Sequence, residues 1–185
     1  MRYIFLILFV AVFGFFQYAI MKKPHTRATS IVSATGSFGI LKLAEKEIMI
    51  DSVRVSPGEY VAYAKTLIGT PYLYASCDPN SGFDCSGFVT YVSNHFGIKV
   101  PRSSVDFINF GTTIKKKNSR PGDLILFTGT DTSSHVVGHI GIITDNKDGR
   151  IQFIHSSSGK ANGVTISDLS GYYDTRFIKV IRIME

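Results

Sequence analysis

Cys85, His139 and His155 have the types and the spacing to assemble an activated nucleophile. Cys85 stands in Gly82-Phe83-Asp84-Cys85-Ser86-Gly87-Phe88-Val89, where a turn ends and a helix begins. The first backbone N–H groups and the positive end of the helix dipole then point at its sulfur, and both lower a thiol pKa. His139 opens His139-Ile140-Gly141-Ile142-Ile143-Thr144 and His155 closes Arg150-Ile151-Gln152-Phe153-Ile154-His155, with Asp145 to Gly149 as the turn between them. If Thr144 pairs with Arg150, the same register sets the two histidines directly opposite each other on one sheet face, with Cβ atoms about 5 Å apart. A slip of one residue would send them to opposite faces. One imidazole can then take the thiol proton and return it to a leaving amine, while the second orients and polarises the first.

The same atoms admit other uses. A free cysteine on an apolar helix face is often a small core residue. Cys77, Cys85, His139 and His155 could instead be four zinc ligands, although seven residues separate the two cysteines where two to four are usual. A Cys77–Cys85 disulfide would silence the nucleophile. His135 falls in a loop, and His25 and His95 have no chemical partners in the sequence.

Positioning these groups requires helices first and strands afterwards. Ser56-Pro57-Gly58-Glu59 reads as a capping box with proline at the first helical position. The apolar spacing of Tyr60, Val61, Ala64, Leu67 and Ile68 predicts a helix ending before Gly69. A second helix is predicted from Cys85 to Phe96, with Cys85, Phe88, Val89, Val92 and Phe96 on its buried stripe, and a short third from Ser103 to Phe110. After Pro121-Gly122 come short runs rich in Ile, Val and Phe, namely DLILF, HIGIIT, RIQFIH, GVTI and RFIKVIRI, which are predicted strands. The fold class is therefore α+β, with helices packed on a mainly antiparallel sheet.

The chain has 185 residues, room for one ordinary domain. Its net charge is +6, from 20 basic and 14 acidic residues. Arg2, Lys22 and Lys23 flank an apolar block, and without them the balance is 17 to 14, or +3. The cluster Lys115, Lys116, Lys117 and Arg120 lies among turn residues and reads as a solvated loop, so no nucleic-acid partner is expected. Residues 3–21 are nineteen in a row with Gln17 as the only strongly polar side chain. As a helix they would reach about 28 Å, close to a bilayer core. Residues 1–23 are thus expected to be a transmembrane anchor or a signal peptide, residues 24–55 a tether, and residues 56–185 the folded domain.

Six short motifs in order give the domain its kinship. Gly69-Thr70-Pro71-Tyr72-Leu73-Tyr74, Phe83-Asp84-Cys85-Ser86-Gly87-Phe88-Val89, Pro101-Arg102-Ser103-Ser104, Pro121-Gly122-Asp123-Leu124, His139-Ile140-Gly141-Ile142 and Phe153-Ile154-His155 resemble the NlpC-type family of bacterial cell-wall cysteine peptidases. The resemblance covers about residues 57–183. It implies a papain-like α+β fold, an extracytoplasmic location, and hydrolysis of peptidoglycan stem peptides, most often between D-glutamate and the diamino acid that follows it. It also implies that no cofactor is needed. Carried over, Cys85 matches the nucleophile, His139 the general base and His155 the residue that orients it. Tyr74 matches a tyrosine near the oxyanion site, and Asp84 and Ser86 match positions that help bind the free amino end of the stem peptide.

Two departures stand out. The family usually has a glycine pair after the tyrosine, where this chain has Ala75-Ser76 and then Cys77-Asp78-Pro79-Asn80, and Asp106 stands near a position where the family often has glutamine. A reshaped pocket edge is expected. A catalytically idle wall-binding module and an acyltransferase are the alternatives the same framework would support.

Overall fold

Ser56 starts the first helix in the manner its motif predicts. Its Oγ accepts from the Glu59 amide at 3.2 Å, and its own amide donates to Glu59 Oε2 at 3.1 Å. The structure, a computed structural model, describes residues 55–185. The apolar segment 1–23 and the tether up to residue 54 lie outside the described residues. Among the described residues no helix is long and apolar enough to cross a membrane.

Helix α1 spans Pro57–Thr66, ending slightly short of the predicted Ile68, with Leu67 as its C-cap and Gly69 at φ +89° beyond it. Helix α2 spans Cys85–His95 and buries Phe88, Val89 and Val92. A 2.7 Å hydrogen bond between Tyr60 Oη and Ser93 Oγ joins the two helices through their buried faces. The predicted third helix is a 3-10 segment, Ser104–Asn109, confined between the extended residues Ser103 and Phe110 and lacking a side-chain cap. With so little length and one buried side chain, Phe107, it has neither the hydrogen bonds nor the packing to form an α-helix.

A two-stranded hairpin of β1 (Cys77–Asp78) and β2 (Gly82–Phe83) precedes α2. The main sheet holds β3 (Thr112–Ile114), β4 (Leu124–Thr128), β5 (Val137–Lys147), β6 (Arg150–Ser157), β7 (Gly163–Asp168) and β8 (Phe177–Arg182). Its order is β3-β8-β4-β5-β6-β7, with every pairing antiparallel. The expected α+β architecture is present, with β3 as a strand the sequence pattern did not signal.

Both faces of this sheet are covered. Leu124, Leu126, Ile140, Ile142, Ile154 and Ile181 pack with the helices in the larger core. Their alternates Ile125, Phe127, Ile143, Phe153 and Val180 form a second cluster under Leu169, Tyr173 and Phe177. Burial on both sides explains why the strands read as unbroken apolar runs rather than alternating ones.

The β5–β6 hairpin differs from its sequence reading in a consequential way. The turn is the two-residue Asp148-Gly149, with both residues at positive φ, 53° and 82°. Lys147 therefore pairs with Arg150, where Thr144 was expected to. Continued without interruption, that register would put His139 and His155 on opposite faces. A β-bulge between Ile143 and Asp145 takes Thr144 out of the pairing, so that Ile143 faces Phe153 and Ile142 faces Ile154. Parity is restored, and the histidines share one face as diagonal neighbours rather than as a directly opposed pair.

Candidate active site

Extending the β5–β6 register by one residue sets Gly141 opposite His155. A Cβ on Gly141 would lie 2.7 Å from Phe153 Cδ2 and 3.2 Å from His155 Cβ, so any side chain there would displace the Phe153 ring and crowd His155. Across this gap His139 Nε2 meets His155 Nδ1 at 2.8 Å, with the rings almost perpendicular. His155 Nε2 in turn lies 3.0 Å from Ser167 Oγ and 3.4 Å from Tyr173 Oη. Phe127, Phe153 and Tyr173 enclose the pair in aromatic contacts.

Cys85 is the first residue of α2, and its Sγ lies 3.9 Å from the carbonyl oxygen of Gly138, the residue before His139. Cys85 and His139 both line a cavity of about 900 Å³, together with Tyr72, Lys160, Tyr172 and Arg176. His139 spends Nε2 on His155, which leaves Nδ1 as the nitrogen available to the thiol.

Electrostatics in the free site run against the sequence expectation of a lowered thiol pKa. Burial, and then the neighbouring Asp84 carboxylate, push the Cys85 thiol up. The amides of Ile140, Ser86 and Cys85 act in the lowering direction but do not prevail. Burial holds His139 well below the ordinary imidazole range, with His155 and Arg176 adding to it. Burial, then Arg176, bring His155 down to about 4. The Cys85 thiol and the two imidazoles are therefore neutral near pH 7, because a partly dry site disfavours each charged form.

Asp84 caps α2 by accepting from the Gly87 amide at 2.5 Å. Its carboxylate is also held by Arg102, Nη2 to Oδ2 at 2.7 Å and Nη1 to Oδ1 at 3.0 Å. Arg102 Nη1 reaches Ser86 Oγ at 3.1 Å, and that hydroxyl lies 3.3 Å from Asp84 Oδ1. Asp84 and Ser86 are thus brought together with Arg102, whose place in Pro101-Arg102-Ser103-Ser104 does not by itself reveal this partner. Tyr74 is 83% exposed and outside the cavity lining; Tyr72 stands in the lining instead.

The sequence reading also missed Ser167, Tyr173 and Arg176. The polar cluster Tyr172-Tyr173-Asp174-Thr175-Arg176 before the last strand was the available signal, but nothing in its spacing said that it folds under β5 and β6. Cys77 is exposed, and both cysteines are free. Among the described residues no three His, Cys, Asp or Glu side chains converge to hold a metal, so the four-ligand zinc arrangement does not form. In the altered loop, Ala75 adopts φ +60°, a left-handed conformation that glycine takes without cost. The backbone shape suited to a glycine is thus kept with a residue less suited to it.

A thiol at a helix N-terminus and one member of a hydrogen-bonded histidine pair on an antiparallel sheet thus line the same cavity. The NlpC/P60 family model matches residues 69–182, and the chain belongs to this family of cysteine peptidases. The gamma-DL-glutamyl hydrolase of Bacillus subtilis (strain 168) is 34% identical over 123 residues, 66% of this chain and 29% of that protein. The murein DD-endopeptidase MepS/murein LD-carboxypeptidase of Escherichia coli (strain K12) is 35% identical over 105 residues, 56% of this chain and 50% of that one. This chain thus spans half or less of these two relatives. Among solved structures, an NlpC/P60 family protein from Bacillus cereus ATCC 10987 superposes with a TM-score of 0.63 at 28% identity, over 71% of this chain and 41% of that one. The NlpC/p60 domain of the peptidoglycan hydrolase SagA gives 0.57 at 26% identity, over 69% and 99%.

Proposed function

We propose that this protein hydrolyses peptidoglycan stem peptides at the bond between D-glutamate and the following diamino acid, through a Cys85-His139-His155 triad. The observation that carries the reading is the 2.8 Å bond from the buried His155 to His139, which lines the same cavity as Cys85. The glutamyl bond is favoured by the name of the B. subtilis relative, a gamma-DL-glutamyl hydrolase.

Substrate in the cavity brings a carbonyl to Cys85 Sγ. The thiol proton passes to His139 as sulfur attacks, which avoids a free thiolate in a site that disfavours one. The amide N–H of Cys85 at the start of α2 donates to the developing oxyanion. The C–N bond breaks as His139 returns the proton to the leaving amine. Water then gives its proton to His139 while its oxygen attacks the thioester, which releases the acid and the thiol. His155, fixed by Ser167 and Tyr173, keeps Nδ1 of His139 aimed at sulfur throughout. Asp84 and Ser86, held in place by Arg102, receive the free amino end of the stem peptide. The apolar segment 3–21 carries the domain to the membrane and out to the wall, as a retained anchor or as a cleaved signal.

Mass analysis of purified peptidoglycan incubated with the protein tests the reading. Fragments ending in D-glutamate are expected, and Cys85→Ala should lose at least about 10³-fold in rate while keeping its fold. Hydrolysis retained in Cys85→Ala would sink the assignment.

A further inference from the structure

The cavity beside Cys85 has a one-sided charge. Its lining contains two cationic side chains, Lys160 and Arg176, and no Asp or Glu. Arg176 is only 6% exposed, and no ion pair joins it among the described residues. Its Nε donates to the Gly129 carbonyl at 2.9 Å and its Nη2 to the Thr128 carbonyl at 2.7 Å, while Tyr172 stacks at 4.6 Å from the guanidinium carbon. These partners fix the orientation of the fork and leave its charge uncompensated. Nη1 makes no hydrogen bond among the described residues and is not sealed from solvent. A buried guanidinium without an acidic partner is costly unless something supplies the anion.

We infer that Arg176, aided by Lys160, is the substrate-carboxylate subsite of this cavity: Nη1 receives a carboxylate flanking the scissile bond. The inference rests on the peptidase reading and adds what selects the substrate. A γ-linked glutamyl bond leaves the α-carboxylate of D-glutamate free, and the diamino acid beyond the bond carries a second where it ends the peptide. Both sources present the chemistry for which an arginine fork is suited. Arg102, near the start of α2, is already consumed by Asp84 and is no such spare cation.

Three stem tripeptides with lysine as the diamino acid separate the sources: one with both carboxylates free, one with the glutamyl α-carboxylate as carboxamide, and one with the lysyl carboxylate as carboxamide. Cleavage rates are measured on the full chain, and affinities by calorimetry on Cys85→Ala. One of the two amides is expected to lose about 10- to 100-fold in both kcat/KM and affinity, the worth of a charge-assisted hydrogen bond. That amide names the group that Arg176 holds. Arg176→Gln should bring the free peptide down to the level of the amide, and Lys160→Gln should narrow the gap in part. A purely structural arginine would weaken all three peptides alike. Should Arg176→Gln fail to fold, Arg176→Lys keeps the charge and should retain part of the discrimination. Equal cleavage and binding of all three peptides would overturn the inference, as would discrimination that survives in a folded Arg176→Gln, or no binding at all. Discrimination in binding without cleavage would instead overturn the peptidase reading and leave the subsite standing.

Discussion

His155 is completely buried and engaged through both ring nitrogens, so a proton on it would place a charge out of reach of water. In the unfolded chain its pKa is near 6.5; in the folded protein burial and Arg176 bring it to about 4. Below pH 6.5 the unfolded state therefore binds protons that the folded state refuses. Stability is full above pH 6.5 and falls as the pH drops toward 4. By pH 5, His155 alone should cost on the order of 2 kcal/mol. Urea unfolding at pH 7 and pH 5 measures this directly, and an unchanged midpoint would contradict the buried neutral pair. Residue identity was fully legible here, since both histidines stood out in the sequence. Their protonation was not, because it depends on aromatic neighbours drawn from β4, β6 and the segment before β8.

At the scale of elements, the site depends on two features of the β5–β6 hairpin. Gly141→Ala would press a methyl group against Phe153 and the Cβ of His155. Activity should drop by about 100-fold or more as the His139–His155 bond is broken, a magnitude that follows from losing catalytic geometry. Kinetics on the folded variant decide it. Thr144, the bulge residue, is the one described residue whose buried side-chain oxygen has no hydrogen-bond partner. Thr144→Val keeps the shape and removes the unpaired hydroxyl, so stability should rise by about 1 kcal/mol with activity unchanged; thermal unfolding measures the gain. The turn at Asp148-Gly149 had a sequence signal, an Asp-Gly pair between apolar runs. The bulge had none, because an extra residue in a strand looks like any other strand residue. The expected sharing of one face held for a reason the sequence reading did not contain: the two-residue turn and the bulge each shift the pairing, and the shifts together preserve parity.

Across the whole molecule, the segment that supplies Arg176 and Tyr173 is anchored by the last strand, β8, and β8 is clamped to β4. Asp123, 2% exposed, accepts Arg182 Nε at 2.7 Å and Nη2 at 2.9 Å, and also the Arg120 amide at 2.9 Å. The carboxylate is buried while the Arg182 side chain keeps 24% exposure, so removing Asp123 takes away a charge-assisted bidentate pair without sealing the arginine from water. Asp123→Ala should cost about 2 kcal/mol, the worth of a charge-assisted hydrogen-bonded pair, read as a lowered Tm, with a smaller effect on kcat than Gly141→Ala because no proposed catalytic group touches the clamp. A Tm within a degree of the parent would remove Asp123 from this role. Pro121-Gly122-Asp123-Leu124 was visible as a motif, yet its partner, Arg182, lies 59 residues away in sequence.

The sequence by itself determined the order of elements, the capped helices, the strand runs, and the identities of Cys85, His139 and His155. These rest on local physics: apolar period, capping chemistry, and the rarity of such side chains. Only the tertiary structure decided that Tyr72 rather than Tyr74 lines the cavity, that Arg102 occupies Asp84, that Arg176 stands without an acid beside the histidines, and that the thiol is raised rather than lowered. Each of these depends on desolvation and on partners distant in the chain, quantities that exist only after the sheet has curled its strands and loops around one cavity.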